Sequence, residues 1–164
     1  MDHSRNCGGY ALNIKQWITP WYEDELEGGW TREARYSFAC SLYHLGLPRD
    51  KVEHAVLLRD KECLLEQFPF LRAVDSIEHI ARGTRIIAYR IFIEGNKEDG
   101  VTDYDFHFKQ RRKGWWYEKN GAKDATLTRL EPNKPWPTVD WNDDDVDGWY
   151  TSGILYFVDT RYSK

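Results

Sequence analysis

The chain has 164 residues, with 27 acidic and 23 basic side chains, a formal net charge of −4, and 41% apolar and 15% aromatic residues. That length suits a single domain over residues 1–164, and the apolar content excludes a disordered or low-complexity protein. No apolar run approaches the ~20 residues of a membrane span, the polar start Met1-Asp2-His3-Ser4-Arg5 offers no secretory apolar segment, and the acidic balance disfavours nucleic acid as the main partner.

Taken in chain order, Tyr10, Ala11, Ile14 and Trp17 recur at helical spacing, which predicts a short helix from Cys7 to about Trp17, stopped by Pro20. Glu23 to Glu27 and Gly28-Gly29 read as a loop. Thr31 is a helix cap, followed by the stripe Ala34, Phe38, Leu42 and Leu45, which Gly46 and Pro48 end. Asp50 can cap the next helix, with Val52, Val56, Arg59 and Cys63 along one stripe. Residues 68–80 fit helix or loop. Arg85 to Ile93, rich in β-branched and aromatic residues between Gly83 and Gly95, is a strand. Tyr104 to Gln110 alternates Tyr104, Phe106 and Phe108 against Asp105, His107 and Lys109, as a half-buried strand does. Gly114 marks a turn, Trp115 to Lys119 runs back, and Trp149 to Val158 is a last strand. Helices first and strands later predict an α+β fold, helices packed on an antiparallel sheet.

Cys7, Cys40 and Cys63 make an odd count without CxxC spacing. This is neither a disulfide framework nor a zinc ribbon, and a reducing, cytoplasmic setting is the simplest. Cys7 opens the first predicted helix, where the macrodipole favours a thiolate. The following Gly8-Gly9 can admit a substrate backbone. His107 lies on the polar face of its strand, where a pocket-facing imidazole belongs. Of the other histidines, His44 and His54 read as helix residues, His3 lies near the start, and His79 falls in the unassigned segment. If Arg112-Lys113 is the hairpin turn, His107 lies opposite Glu118; if Lys113-Gly114 is the turn, it faces Asn120. Either register puts an oxygen across from the imidazole, within cross-strand reach. Such an oxygen is the third partner that a Cys–His pair uses to orient its base.

These residues carry a resemblance. Asn6-Cys7-Gly8-Gly9-Tyr10-Ala11-Leu12, then Asp105-Phe106-His107-Phe108, then Gly114-Trp115-Trp116-Tyr117-Glu118-Lys119-Asn120-Gly121 resemble the motifs of small papain-like cysteine hydrolases of bacteria and phages. The likeness covers about 6–17 and 86–121. It implies a papain-like fold, Cys7 as nucleophile, and His107 as general base and then acid. Relatives often carry histidine where this chain has Glu118. The implied chemistry is acyl transfer through a thioester, with the Cys7 N–H and the Asn6 side chain as oxyanion donors. Asn6 is equally a helix N-cap.

The expected activity is therefore hydrolysis of an amide bond in a peptide, protein or cell-wall peptide, with no cofactor or metal. The alternatives are a non-catalytic protein-binding factor on the same fold, one that blocks a host protein for instance, and a deamidase or transglutaminase. Three other signals read as ordinary surface. Asp143 to Gly148 matches the start of a calcium loop, but Ile154 stands where the bidentate glutamate belongs. Lys109 to Lys113 is a basic run beside Trp115 and Trp116 that a charged hairpin turn explains. Of the eight tryptophans, Trp17, Trp21, Trp30, Trp136, Trp141 and Trp149 fall in or near loops, where they line a groove or cover core edges.

Overall fold

The computed structural model describes residues 4–118 and 150–162. Three helices precede five strands in the chain: α1 (Cys7–Leu12), α2 (Arg32–His44), α3 (Arg49–Gln67), β1 (Leu71–Val74), β2 (Ile86–Asn96), β3 (Gly100–Arg112), β4 (Trp115–Tyr117) and β5 (Leu155–Asp159). All strand pairs are antiparallel, in the order β1-β5-β2-β3-β4. The α+β class is thus as expected, and residues 71–74, in the segment left between helix and loop, form an edge strand. No helix of the described residues is long and apolar enough to cross a membrane.

α1 is shorter than its periodicity predicts. Asn13 takes the left-handed conformation, φ 53°, which its short polar side chain tolerates. Its N–H and that of Ile14 close back on the last turn. Trp17, expected on the helix, is 53% exposed. Thr31 caps α2 as expected, its hydroxyl accepting from the Ala34 N–H at 3.2 Å. The buried face of α2, however, runs through Arg35, Ala39 and Tyr43, one residue beyond the expected stripe, and Leu45 is exposed. Pro48, not Asp50, precedes α3, and Asp50 lies in its first turn.

A charge explains the rotated face. Asp60 on α3 is fully buried and takes both ends of the Arg35 guanidinium at 2.9 and 3.0 Å, Trp30 Nε1 at 2.9 Å and the Tyr89 hydroxyl at 2.7 Å. Four donors satisfy the carboxylate, so a charge that would otherwise be prohibitive in the core is tolerated there. Apolar periodicity alone places Arg59, not Asp60, on that face.

The sheet is covered on both sides. The helices pack on the face carrying Ile87, Tyr89, Ile91, Ile93 and Phe108. Ile86, Ala88, Phe92, Trp116, Tyr150 and Val158 form a second cluster on the other. The second cluster is why His107 and Lys109, alternating with the aromatic residues as predicted, are nevertheless buried. β5 pairs with β2 only along Ile86–Tyr89. Beyond that, side chains take over the ladder: Ser152 Oγ accepts from Ile91 N–H at 3.0 Å and Glu53 from Ile93 N–H at 2.8 Å. Thr151 donates to the same Glu53 carboxylate, and Arg90 donates to the Ser152 carbonyl at 2.6 Å. These bonds fasten residues 150–153 beside β2, next to the site.

Candidate active site

Asn6 and two glycines position Cys7. The Asn6 side chain caps α1, Oδ1 accepting from Gly9 N–H at 2.9 Å. The same oxygen accepts from Ile18 N–H at 2.9 Å, and Nδ2 donates to the Ile18 carbonyl at 2.7 Å. Asn6 therefore clamps the start of α1 to the returning chain; the capping reading describes it, and its amide is engaged there. Gly8 and Gly9 face that same returning segment, not open space. A Cβ at Gly9 would run into the Gln16 carbonyl, and one at Gly8 would lie 3.0 Å from Ile18 and 3.2 Å from Phe108. The close approach they allow is made by their own chain, which corrects the expectation of a substrate passage at these glycines.

His107 comes from the middle of β3. The turn of the following hairpin is Lys113-Gly114, with φ 52° and 81°, the left-handed pair that suits a two-residue hairpin loop. The resulting register pairs Gln110 with Tyr117 and Arg112 with Trp115. The alternative turn, which set His107 directly opposite Glu118, is not the one adopted. Continued past Tyr117, the observed register sets Glu118 against Lys109, diagonal to His107. Glu118 still reaches the imidazole: His107 Nε2 donates to Glu118 Oε2 at 2.8 Å. Lys109 Nζ approaches the same oxygen at 3.1 Å. Asn120 lies outside the described residues, as do His3, Trp136, Trp141, Trp149 and the Asp143–Gly148 loop.

The sulfur from near the start of the chain meets this group. Cys7 lies within hydrogen-bonding reach of the His107 imidazole. With Nε2 given to Glu118, Nδ1 is the nitrogen available to the thiol. Burial pushes His107 down, but Cys7 and then Glu118 outweigh it and bring its pKa up to about 9. Burial raises Glu118, but the His107 hydrogen bond and the Lys109 charge hold it at about 2. The group is thus a sulfur, an imidazole ring and a carboxylate in sequence, with the Lys109 ammonium beside the carboxylate. It is closed: Cys7, His107, Lys109 and Glu118 are 5%, 6%, 1% and 3% exposed.

Two contributors were not singled out from sequence. Lys109 follows His107 by two residues, so strand alternation places both on one face, and that signal was available. Tyr150 stacks obliquely on the His107 ring, centroids 5.7 Å apart, and donates to Asp105 Oδ2 at 3.3 Å. Burial, Asp105 and Cys7 together raise its phenol. Nothing in the sequence tied it to His107. His44, His54 and His79 are exposed, and His44 Nδ1 donates to the Lys97 carbonyl at 2.7 Å.

For the oxyanion expected in acyl transfer, the first helical turn supplies N–H groups without intrahelical acceptors. Asn6 takes that of Gly9, and those of Cys7 and Gly8 find no acceptor among the described residues. Also among the described residues, no three His, Cys, Asp or Glu side chains are grouped to hold a metal ion. No protein-family model, curated protein or solved structure matches the chain.

Proposed function

We propose that the protein is a papain-like cysteine hydrolase that cleaves an amide bond in a peptide, protein or cell-wall peptide. The contact of Cys7 with His107, itself held by Glu118, carries the reading. With the proton that Cys7 and His107 share resting on the imidazole, the sulfur attacks the carbonyl carbon, forming an S–C bond. The Cys7 and Gly8 N–H groups face the charge that develops on the oxygen. Collapse breaks the C–N bond, and His107 gives its proton to the leaving amine. Water, deprotonated by His107, then attacks the thioester and returns the thiol. Glu118 keeps the ring turned toward sulfur and favours its protonated form, and Lys109 keeps Glu118 ionised.

The burial of Cys7 favours a second reading, a binding protein on the same scaffold whose thiol is inert, since a sealed cysteine behaves as a small apolar residue. Deamidation or transglutamination would use the same thiol step with another acceptor or substrate.

Iodoacetamide labelling followed by peptide mapping separates the two readings. For the hydrolase, Cys7 alkylates faster than Cys63, whose thiol burial pushes up to about 11. It also outpaces half-buried Cys40, whose sulfur accepts from Val101 N–H. His107→Ala slows Cys7 by about tenfold or more, the scale expected when a positioned base is lost. Cys40 reacting first, with the Cys7 rate indifferent to His107→Ala, would establish the inert thiol instead.

A further inference from the structure

Tyr36, Cys40 and His44 follow one another at four-residue steps on α2, so the helix carries the three side chains along one face. That face meets the turn joining β2 to β3, and two bonds fasten it there. His44 Nδ1 donates to the Lys97 carbonyl at 2.7 Å, and the Val101 N–H donates to Cys40 Sγ at 3.3 Å. Between these anchors stands Gly100, with φ 75°. A Cβ built on it would lie 2.9 Å from Cys40 Sγ and 3.2 Å from His44 Nε2. The sulfur and the second imidazole nitrogen therefore border one small space, beside a residue that puts no side chain into it.

Each of the two is set as a metal ligand requires. His44 gives its Nδ1 proton to a backbone carbonyl, which fixes the tautomer and leaves a lone pair on Nε2. Among the described residues that nitrogen has no hydrogen-bond partner. Cys40 is half-buried, and besides the Val101 N–H its sulfur has the Tyr36 hydroxyl within reach. Hydrogen bonds donated to sulfur favour the thiolate, the form that ligates. Two ligands at i and i+4 on one helix face is also the spacing by which helices hold zinc. Thiolate with imidazole matches zinc, whereas magnesium and calcium demand oxygen donors.

We propose that Cys40 and His44 form a binding site for a thiophilic divalent cation of the zinc type, ligated by Sγ and Nε2 beside Gly100. On binding, Cys40 releases its proton to solvent and a metal–sulfur bond forms. His44 is exposed, so solvent completes the coordination. The bound cation fixes the end of α2 that holds the β2–β3 turn. The site is separate from the Cys7–His107 pair and does not depend on its chemistry.

Alkylation of the whole chain by iodoacetamide, followed by peptide mapping, tests it. A chelator sets the metal-free rate of Cys40. Excess zinc chloride slows Cys40 by about tenfold or more, because only the unligated thiolate alkylates. Magnesium chloride leaves the rate unchanged, and Cys63 keeps its rate with either salt. His44→Gln, at an exposed position, removes most of the zinc protection. Cobalt(II) in place of zinc gives a near-ultraviolet sulfur-to-metal charge-transfer band, which Cys40→Ser abolishes. The proposal fails if zinc slows Cys40 no more than magnesium does, if His44→Gln is protected as well as the wild type, or if the cobalt band survives Cys40→Ser. Zinc that slows Cys7 and spares Cys40 would also overturn it, by placing the cation at the buried pair.

Discussion

Glu118→Gln keeps the size of the side chain and removes its charge, so it isolates what the carboxylate does for the buried group. In the wild type one oxygen, Oε2, takes both His107 at 2.8 Å and Lys109 at 3.1 Å. Lys109 is 1% exposed, so the substitution leaves an ammonium in the interior beside a neutral amide. Breaking a buried pair from one side costs ~3–5 kcal/mol. His107 adds a smaller amount. Its rise from 6.5 to about 9 corresponds to about 3 kcal/mol, at about 1.4 kcal/mol per pKa unit. Cys7 supplies the larger share of that rise, which leaves on the order of 1 kcal/mol to Glu118. A total of about 4–6 kcal/mol is a large part of the ~5–15 kcal/mol that holds a domain folded. Urea unfolding followed by tryptophan fluorescence, repeated from pH 4 to pH 9.5, measures it.

The pH dependence has a definite sign. The folded state keeps a proton on His107 between 6.5 and about 9 that the unfolded chain releases, so this contribution is full below 6.5 and disappears as pH rises toward 9. Glu118 contributes above its ordinary value of 4.5, and that contribution is lost as pH falls toward about 2. The wild type should therefore lose stability from pH 6.5 to 9, and Glu118→Gln should lose less over that range. Adding Lys109→Met to Glu118→Gln should recover part of that loss, by removing the buried ammonium whose charge the carboxylate balanced. A loss under about 1 kcal/mol for Glu118→Gln, or a double variant no more stable than the single one, would refute the reasoning.

Other substitutions probe the frame around the site. Gly9→Ala should prevent folding or cost more than about 3 kcal/mol, because the new methyl group meets backbone at Gln16 that cannot give way. Gly29→Ala, with open space around it, should stay within about 1 kcal/mol of wild type in the same denaturation assay. Asp60→Asn should cost about 3–5 kcal/mol by calorimetry, since it strands the Arg35 guanidinium in the core. Glu62→Gln, exposed on the same helix, serves as the control within about 0.5 kcal/mol.

Local chemistry made much of this legible. Thr31 as a cap, the β-branched run in β2 and the alternation around His107 each express a rule that acts within a few residues. The meeting of Cys7, His107 and Glu118 was approached through motif and hairpin register together. From sequence the register stays open between two turns, because the choice depends on which residues adopt positive φ. Lys113 and Gly114 do, and a diagonal reach then replaces a direct one. What was missed depends on tertiary partners. Arg35 and Asp60 look like surface charges until they are seen to satisfy each other. Cys7 to Trp17 reads as one helix until Asn13 turns left and the chain comes back over Gly9. The second apolar cluster, which buries the polar face of β3, needs residues near 150 that no local pattern links to it.

The strand order has a consequence for how the molecule comes into being on the ribosome. Among the described strands β5 is the last to be synthesised, yet it lies between β1 and β2, inside the sheet. Until it emerges, β1 has no neighbour among the described strands and the β5-facing edge of β2 stands open, an apolar ribbon available to any other chain. A nascent or prematurely terminated product is therefore a candidate for aggregation and for chaperone capture. The Cys7–His107 pair also lacks its Tyr150 cover until translation has passed that residue.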